Sequence, residues 1–310
     1  MRLALALSDG LALPAPVLVQ HPTLETDLTA LTEYDVASPD IAVAERYPAP
    51  QNDRAYAATV IIAPRSKDLA RDLIAQAADR AELIVVDGQK TDGIDSLWRA
   101  CRDRADVQGT VTKAHGRLFW MRAAADDFAD WHYTPPDLHG FALAPGIFSA
   151  DGIDPGSYAL AELLPAQMSG RVVDLGAGWG YLSAVAEARG ATDIEMVEAN
   201  ADALACAQAN TTHARGHWAD ATRWRPSEKA DHVIMNPPFH QGRKGVPDLG
   251  RAFIDNASRI LAPKGTLWMV ANRHLPYEDT LAARFGKVTL LDGPPGSKGF
   301  KLFQATRPKR

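Results

Sequence analysis

Short apolar runs alternate with segments whose apolar residues recur at helical spacing, along both halves of the chain. This alternation is typical of a parallel α/β sheet, in which a helix follows each strand. In the second half we predict strands at 171–176, 194–199, 231–236 and 266–272, helices at 181–189, 201–209, 250–261 and 278–285, and a closing strand pair, KVTLLDG and GFKLFQATR. In the first half we predict strands at 17–24 (VLVQHPTL), 58–64 and 82–88, helices at 67–80 and 93–104, and a closing pair, QGTVTK and GRLFWMRA.

The two halves repeat one order of elements. At an offset of 184 residues, LIVVDG falls on LWMVAN, and Leu118-Phe119 falls on Leu302-Phe303. Upstream the offset is 173, so VIIAP (60–64) falls on VIMNP (233–237) and the second copy carries about eleven extra residues after this strand. An offset that holds over several elements indicates duplication. We therefore predict two tandem Rossmann-like α/β domains, 1–135 and 136–310.

Composition indicates a globular protein. Hydrophobic residues make up 46% and charged residues 23% of the 310 residues, as in ordinary soluble domains. The only cysteines are Cys101 and Cys206, which argues against a disulfide framework. The first apolar run is too short for a signal peptide or a membrane span. We therefore expect a cytoplasmic protein with no membrane partner.

Charge is unevenly divided between the halves. The whole chain has a net charge of −5. Residues 1–137 contain 14 Lys and Arg against 21 Asp and Glu, whereas residues 138–310 contain 19 against 17. Such an asymmetry can separate a binding surface from a scaffold, although the excess in the second half is small.

A glycine-rich turn, DLGAGWG (174–180), follows the first strand of the second half. Glycines let backbone N–H groups approach a ligand, and the start of the next helix carries partial positive charge. Glu198 ends the second strand 18 residues after Gly180, where a carboxylate can bind both ribose hydroxyls. The spacing differs from the G-x-G-x-x-G of dinucleotide dehydrogenases and resembles the S-adenosylmethionine loop of Rossmann-like methyltransferases. In that family an acid after the third strand, here Asp220, faces adenine, although a helix cap explains Asp220 equally well.

The strand predicted at 231–236 ends at Asn236, and Pro237, Pro238 and Phe239 follow it. Asn-Pro alone is a turn signal. Beside a bound cofactor, however, the Asn236 side-chain oxygen and the Pro237 carbonyl could accept the two protons of an exocyclic amine. Phe239 could stack on a planar base, so catalysis would rest on positioning without a strong general base. The tetrad resembles the Asn-Pro-Pro-aromatic motif of methyltransferases that act on adenine N6, cytosine N4, guanine N2 or a protein glutamine.

Four further motifs narrow the resemblance: APGIFSADGIDPGS (144–157), NPPFH (236–240), VANRHLPY (270–277) and GFKLF (299–303). Together they resemble those of the small-subunit ribosomal RNA guanine-N2 methyltransferases, over nearly all of 138–310 and more loosely over 1–135. That family carries a degenerate N-terminal domain. The resemblance therefore implies two tandem Rossmann-like methyltransferase domains, the first a scaffold or substrate-binding surface. In agreement, the first half lacks a glycine-rich turn and has Ala-Pro-Arg-Ser (63–66) in place of the tetrad.

The resemblance also implies the site and its partners. The cofactor is S-adenosylmethionine, no metal is expected, and the partner is ribosomal RNA, first of all within the small subunit. The implied catalytic residues are Asn236, Pro237, Pro238 and Phe239. The implied cofactor-binding residues are Phe148, Asp154, Ser157, Asp174, Gly176, Ala177, Gly178, Gly180, Glu198, Ala199, Asp220, Ala221 and Asn236. Arg243 and Lys244 could hold RNA phosphates or belong to a solvated loop.

Three alternatives are weighed against this interpretation. Large-subunit guanine-N2 methyltransferases share most of these features. A protein glutamine N5 methyltransferase shares the tetrad, but the duplicated scaffold and NPPFH argue against it. A non-catalytic RNA-binding assembly factor could keep the fold, but the intact glycine turn and tetrad argue against it. The target guanine is left open, as is the oligomeric state, for which a monomer is favoured.

Overall fold

The computed structural model describes residues 2–51, 53–238, 240–241, 244–245 and 247–309, without the side chains of 240–241 and 244–245. The chain divides into two compact units, Met1–Pro135 and Pro136–Arg310. Each unit contains one mixed sheet with helices.

The first unit is built on a six-stranded sheet. Its strands are β1 Val17–Gln20, β2 Tyr34–Ala37, β3 Ala58–Ile62, β4 Leu83–Gln89, β5 Asp106–Lys113 and β6 Gly116–Arg122. Its helices are α1 Arg2–Ser8, α2 Ile41–Ala44, α3 Lys67–Ala78, α4 Ile94–Arg102 and α5 Ala125–Phe128, with 3-10 turns at Lys90–Asp92 and Ala129–Trp131. The strand order is β2-β1-β3-β4-β6-β5, in which β1 to β4 are parallel and β6 is antiparallel to both neighbours.

The second unit is built on a seven-stranded sheet. Its sheet strands are β7 Arg171–Leu175, β8 Asp193–Glu198, β9 Arg215–Trp218, β10 Ala230–Met235, β13 Leu261–Asn272, β14 Phe285–Leu291 and β15 Phe300–Pro308, and a short hairpin is formed by β11 His240–Gln241 and β12 Lys244–Gly245. Its helices are α6 Pro155–Leu163, α7 Tyr181–Ala188, α8 Ala201–Ala209, α9 Pro247–Ile260 and α10 Glu278–Arg284, with a 3-10 turn at Ser297–Gly299. The order is β14-β15-β13-β10-β7-β8-β9, with β15 antiparallel to both neighbours.

The two sheets share one strand order. Read from its β8 side, the second sheet runs β8-β7-β10-β13-β15-β14, which matches β2-β1-β3-β4-β6-β5 of the first sheet. The second sheet adds the edge strand β9. The strands that share a sequence offset, such as β3 with β10 and β4 with β13, occupy equivalent places. Two tandem sheets of the Rossmann-like type are therefore present, as the alternation of apolar runs predicts.

Helices cover both faces of the second sheet because successive side chains of a buried strand point to opposite faces. On one face Val172 and Ile234 pack with the apolar residues of α6, α7 and α8. On the other, Val173 and Val233 pack with α9 and α10. Full burial of such a side chain contributes roughly 1.5–3 kcal/mol. The two apolar faces therefore hold the strands rigidly while leaving their carboxyl ends available for a site.

Most predicted elements are confirmed, with shifts of a few residues at their ends. The first strand is an exception, since it ends at Gln20 and not at residue 24. His21 adopts a left-handed φ of 58°, and Pro22 has no N–H to donate, so the ladder stops there. The pattern did not predict β2, nor the helix α6 before the first strand of the second unit.

Within the described residues, no helix has the length and apolar character needed to cross a membrane. The same part of the chain contains no group of three or more His, Cys, Asp and Glu side chains placed to hold a metal ion.

Candidate active site

The glycine-rich loop lies at the carboxyl end of β7, beside the carboxyl end of β10. From these neighbouring strands the chain continues to opposite sides of the sheet, and open α/β sheets bind ligands at such a switch point. Gly178 has a φ of +55°, and a Cβ added there would meet no atom within 4 Å. A Cβ on Gly180 would lie 2.9 Å from the Ala207 Cα of α8. The loop is thus open to a ligand at one glycine and packed closely against a helix at another.

Glu198, the last residue of β8, is hydrogen-bonded to this loop. Its Oε2 accepts a hydrogen bond from the Gly178 N–H at 2.9 Å, and its Oε1 accepts one from the Asn200 N–H at 2.9 Å. Ribose binding by Glu198 stays a prediction. The structure adds a role that the sequence did not indicate, which is to fix the loop.

Asp174, the first residue of the glycine-rich turn, is 1% exposed. Its Oδ2 accepts a hydrogen bond from the Ser183 hydroxyl at 2.7 Å, but its Oδ1 has no hydrogen-bond partner among the described residues. Burial raises the pKa of Asp174 to about 7, and the nearby charge of Glu198 adds to the increase. A buried acceptor without a partner is uncommon in folded proteins. A donor on a cofactor, such as the amino group of S-adenosylmethionine, would satisfy it, so the residues present fit that cofactor.

Asn236 follows the last residue of β10, and its side-chain amide is held by the start of α6. The Asn236 Nδ2 donates to the Asp154 Oδ2 and to the Ser157 Oγ, both at 2.9 Å. Asp154 is also the N-cap of α6, since the same Oδ2 accepts from the Ser157 N–H at 2.7 Å. Because the amide nitrogen is committed to these two oxygens, the Asn236 Oδ1 on the other side of the planar amide faces away from them. The orientation of the amide is therefore fixed.

One cleft brings this Asn236 group together with Phe148, Gly176, Ala177 and Gly178. Phe148 is half exposed at the cleft. Residues that the sequence places about 80 positions apart thus meet at a single site, between the glycine-rich loop and the start of α6.

Comparisons with known proteins show the family of the chain. The family described as "Methyltransferase small domain" matches residues 139–304. The ribosomal RNA small subunit methyltransferase C of Shewanella oneidensis is 32% identical over 267 residues, which cover 80% of this chain and 76% of that protein. The chain belongs to this methyltransferase family. The Hahella chejuensis protein of the same name is 31% identical over 256 residues, which cover 77% of this chain and 73% of that one.

A solved structure shows the same fold in both units. It is the T. thermophilus 16S rRNA N2 G1207 methyltransferase in complex with AdoMet and guanosine, which has a TM-score of 0.73 and 21% identity to this chain. The similarity covers 98% of this chain and 91% of that one. The chain therefore has two tandem methyltransferase-like domains, and S-adenosylmethionine is the cofactor of its family.

The sequence pattern did not predict an aromatic cluster at the glycine-rich loop. Trp179 is buried, and its ring centroid lies 5.0 Å from that of Phe141 and 5.6 Å from that of Tyr181. Asn210 links the glycine-rich loop to the segment before α6, since its Nδ2 donates to the carbonyls of Trp179 and Ala142 at 2.8 and 2.9 Å. These contacts hold the segment before α6 against the loop. A bulky residue within a glycine turn was the signal that could have revealed the cluster.

Asp220 makes local contacts at the end of β9. Its Oδ1 accepts from the Thr222 N–H at 2.8 Å, and its Oδ2 accepts from the Arg223 Nε at 2.8 Å. Burial acts to raise the pKa of Asp220, but the hydrogen bonds from Thr222 and Arg223 outweigh it and lower the pKa. The structure thus shows Asp220 capping a turn, while its contact with adenine stays a prediction. The neighbouring Ala221 is buried in the core, and Ala199 accepts the Trp218 Nε1–H at 2.9 Å through its carbonyl.

The remaining predicted residues are only partly described. Pro237 is buried and Pro238 is exposed beside Asn236. Phe239 and Arg243 lie outside the described residues, as does the side chain of Lys244. Their predicted contacts with the base and with RNA phosphates therefore stay predictions.

Proposed function

We propose that the second unit transfers the methyl group of S-adenosylmethionine to the exocyclic N2 of a guanine in small-subunit ribosomal RNA. The family supports this proposal, because its members are named as small-subunit ribosomal RNA methyltransferases. The similar T. thermophilus enzyme is named as an N2 methyltransferase and was solved with guanosine. The same relatives favour the small-subunit substrate over the large-subunit one.

The observation that carries the proposal is the fixed amide of Asn236. The lone pair of a guanine N2 amine is delocalised into the ring, so the amine is a poor nucleophile. The Asn236 Oδ1 and the Pro237 carbonyl are two acceptors that can hold its two protons and turn the lone pair out of the ring plane. Because Asp154 and Ser157 orient the amide before substrate arrives, little reorganisation is needed during the reaction. No strong general base is required.

The residues around the glycine-rich loop would hold the cofactor. When bound, S-adenosylmethionine supplies a methyl group on a positively charged sulfur, which is an electrophile. Gly178 leaves space for a ligand at the backbone, Glu198 can bind ribose hydroxyls, and the unpaired oxygen of Asp174 can accept a hydrogen bond. The carboxyl ends of β7 and β10 are adjacent, so a ligand in the loop lies beside Asn236.

The target base must be unpaired to place its amine at Asn236. Enzymes that modify bases act on single strands or flip the base out of a duplex, and they stack it on aromatic side chains. We assign the stacking role to Phe239. Replacing Phe239 with Ala should then weaken RNA capture by about 1–3 kcal/mol without changing the affinity for S-adenosylmethionine.

The first unit, residues 1–135, serves in this proposal as a degenerate scaffold or substrate-binding domain. Its sheet has the order of the catalytic sheet without the outer strand β9. It has Ala63-Pro64-Arg65-Ser66 in place of the Asn-Pro-Pro-Phe tetrad, and no glycine-rich turn after β1.

Labelled methyl transfer tests the proposed function. Small and large ribosomal subunits from cells lacking the enzyme would be incubated with labelled S-adenosylmethionine and the full chain. We expect label on guanine N2 in the small-subunit RNA with the natural chain, and a loss of about a hundredfold or more in rate with Asn236→Ala. Label confined to large-subunit RNA or to protein would contradict the assignment of the substrate, and no label at all would contradict the activity.

A further inference from the structure

Another cavity, of about 590 Å³, lies at the far end of the second sheet from Asn236. Lys229 lines it and directly precedes β10, whereas Asn236 directly follows that strand. A strand rises about 3.3 Å per residue, so the six residues of β10 place the cavity roughly 20 Å from Asn236. The end of α9 and the start of β13 also line it, as do Pro308 at the end of β15 and Lys309 directly after it. The cavity is therefore distinct from the catalytic cleft.

The charged groups that line this cavity are all basic. They are Lys229, Arg259, Arg284 and Lys309. Within the described part of the chain, no Asp or Glu belongs to the lining. The net charge of the second half is only +2, so this concentration of cations is local and does not reflect a generally basic domain.

Two of these cations are held in place by neutral groups. The Lys229 ammonium donates to the carbonyl of Arg259, and the Lys309 ammonium donates to the carbonyl of Ala282 at 2.6 Å. A carbonyl fixes the position of an ammonium but does not neutralise its charge. An ammonium has three N–H donors, so each lysine keeps donors for a further acceptor.

The two arginines differ. Arg284 forms a bidentate ion pair with Asp255, at 2.6 and 3.1 Å, which neutralises it and fixes one wall. The side chain of Arg259 is exposed, and its guanidinium has no hydrogen bond or ion pair with any of the described residues. Among the described residues, the guanidinium of Arg259 and the two lysines therefore present three positive charges without an ion-pair partner to one concave surface.

We propose that this cavity binds backbone phosphates of the RNA substrate at a distance from the target guanine. The proposal rests on RNA being the substrate of the second unit. Lys and Arg are the side chains that contact phosphate oxygens, and such contacts position nucleic acid without reading its sequence. The three charges come from three different elements, which suits a chain of phosphates more than one small anion. The cavity would thus orient a large RNA while its target base occupies the catalytic cleft.

The salt dependence of RNA binding by the full chain tests this proposal. The affinity for labelled small-subunit ribosomal RNA would be measured at several salt concentrations for three chains. They are the natural chain, the single variant Arg259→Gln, and a combined variant that carries Lys229→Gln, Arg259→Gln and Lys309→Gln. Removing one phosphate contact should lower the slope of log affinity against log salt by about one, and the combined variant should lower it by about two to three. Lys287→Gln, an exposed change on β14 outside the cavity, should leave the slope unchanged. Arg259→Lys keeps the positive charge and should therefore retain most of the slope of the natural chain.

Methyl transfer by the same variants separates this proposal from the proposed function. The combined variant should raise KM for RNA while leaving kcat at saturating RNA and the affinity for S-adenosylmethionine unchanged. If the natural chain transfers no methyl group, the proposed function fails, but the salt slopes still test the cavity. An unchanged slope in the combined variant would overturn the cavity proposal. Inorganic phosphate could instead stabilise the natural chain but not the combined variant, while the salt slopes of RNA binding are the same for both. That result would overturn the proposal in favour of a small-anion site.

Discussion

Replacing Asp154 with Asn tests whether this residue acts on the reaction through Asn236. The carboxylate of Asp154 accepts the Asn236 Nδ2–H at 2.9 Å and caps α6. Asn is as good an N-cap as Asp, so Asp154→Asn should leave the melting temperature nearly unchanged. It removes the charge from one of the two acceptors that orient the Asn236 amide.

The size of the effect follows from this loss of charge. A hydrogen bond to a charged group contributes about 1.5–3 kcal/mol, and a neutral one about 0.5–1.5 kcal/mol. The difference of roughly 1–1.5 kcal/mol corresponds to about a tenfold decrease in kcat. Ser157→Ala removes the neutral partner and should cost a similar factor. The affinity for S-adenosylmethionine, measured by calorimetry, should stay the same for Asp154→Asn if orienting Asn236 is its role.

A double-mutant cycle provides the decisive comparison. If Asp154 acts through Asn236, then Asp154→Asn should cause no further loss of turnover in an Asn236→Ala chain, because the amide it orients is gone. If Asp154 instead binds the amino-acid end of the cofactor, as the family resemblance implies, the two effects should add and the cofactor affinity should fall. Additive losses of turnover would therefore refute the positioning role.

Three further predictions concern the affinity for the cofactor, the pH dependence of stability and the number of cofactor sites. Glu198→Ala should weaken S-adenosylmethionine binding by roughly 2–3 kcal/mol, since it removes charge-assisted bonds to ribose and also releases the Gly178 N–H; an unchanged calorimetric affinity would rule out the ribose contact. Because burial raises the pKa of Asp174 from 3.8 to about 7, the folded chain keeps a proton that the unfolded chain has released, so the free energy of unfolding should fall between about pH 4 and 7 and level off above. Asp174→Asn should remove this decrease in the free energy of unfolding between about pH 4 and 7. A decrease as steep as that of the natural chain would show that Asp174 is not its cause. The full chain should bind one cofactor, and a measured stoichiometry of two would show that the first unit has kept a site.

The sequence predicted the sheet architecture well because that information is local. Apolar runs and helical spacing follow from the burial of strands and helices, and they located β7, β10 and α8 within one residue of their bounds. The apolar pattern did not locate β9, which only the resemblance implied before Asp220, since its four residues are exposed or half-buried and show no clear alternation.

The site was only partly predictable, because its contacts join distant parts of the chain. The motifs indicated Asp154, Ser157 and Asn236 individually, but 82 residues separate Asp154 from Asn236 and no sequence pattern states that they touch. The structure shows the first two bonded to the amide, and their assignment to the cofactor stays a prediction. The role of Asn210 was missed for the same reason, since its hydrogen bond to the Ala142 carbonyl spans 68 residues.

The first unit supports the proposal that a duplicated site was lost there, because the equivalent positions now stabilise the fold. Ser66, which aligns with Phe239, caps α3 through a hydrogen bond from the Leu69 N–H to its hydroxyl at 3.3 Å. An N-cap of this kind contributes about 1 kcal/mol to stability. After β1, the strand that matches β7, the chain continues through His21 with a single left-handed residue and no glycine loop. On β4, which matches β13, Asp87 is bonded to Arg2 of α1 at 2.5 Å. The position that aligns with Phe239 is thus a helix cap, and an ion pair joins a helix to the sheet, so these residues are better suited to holding a scaffold than to binding a cofactor.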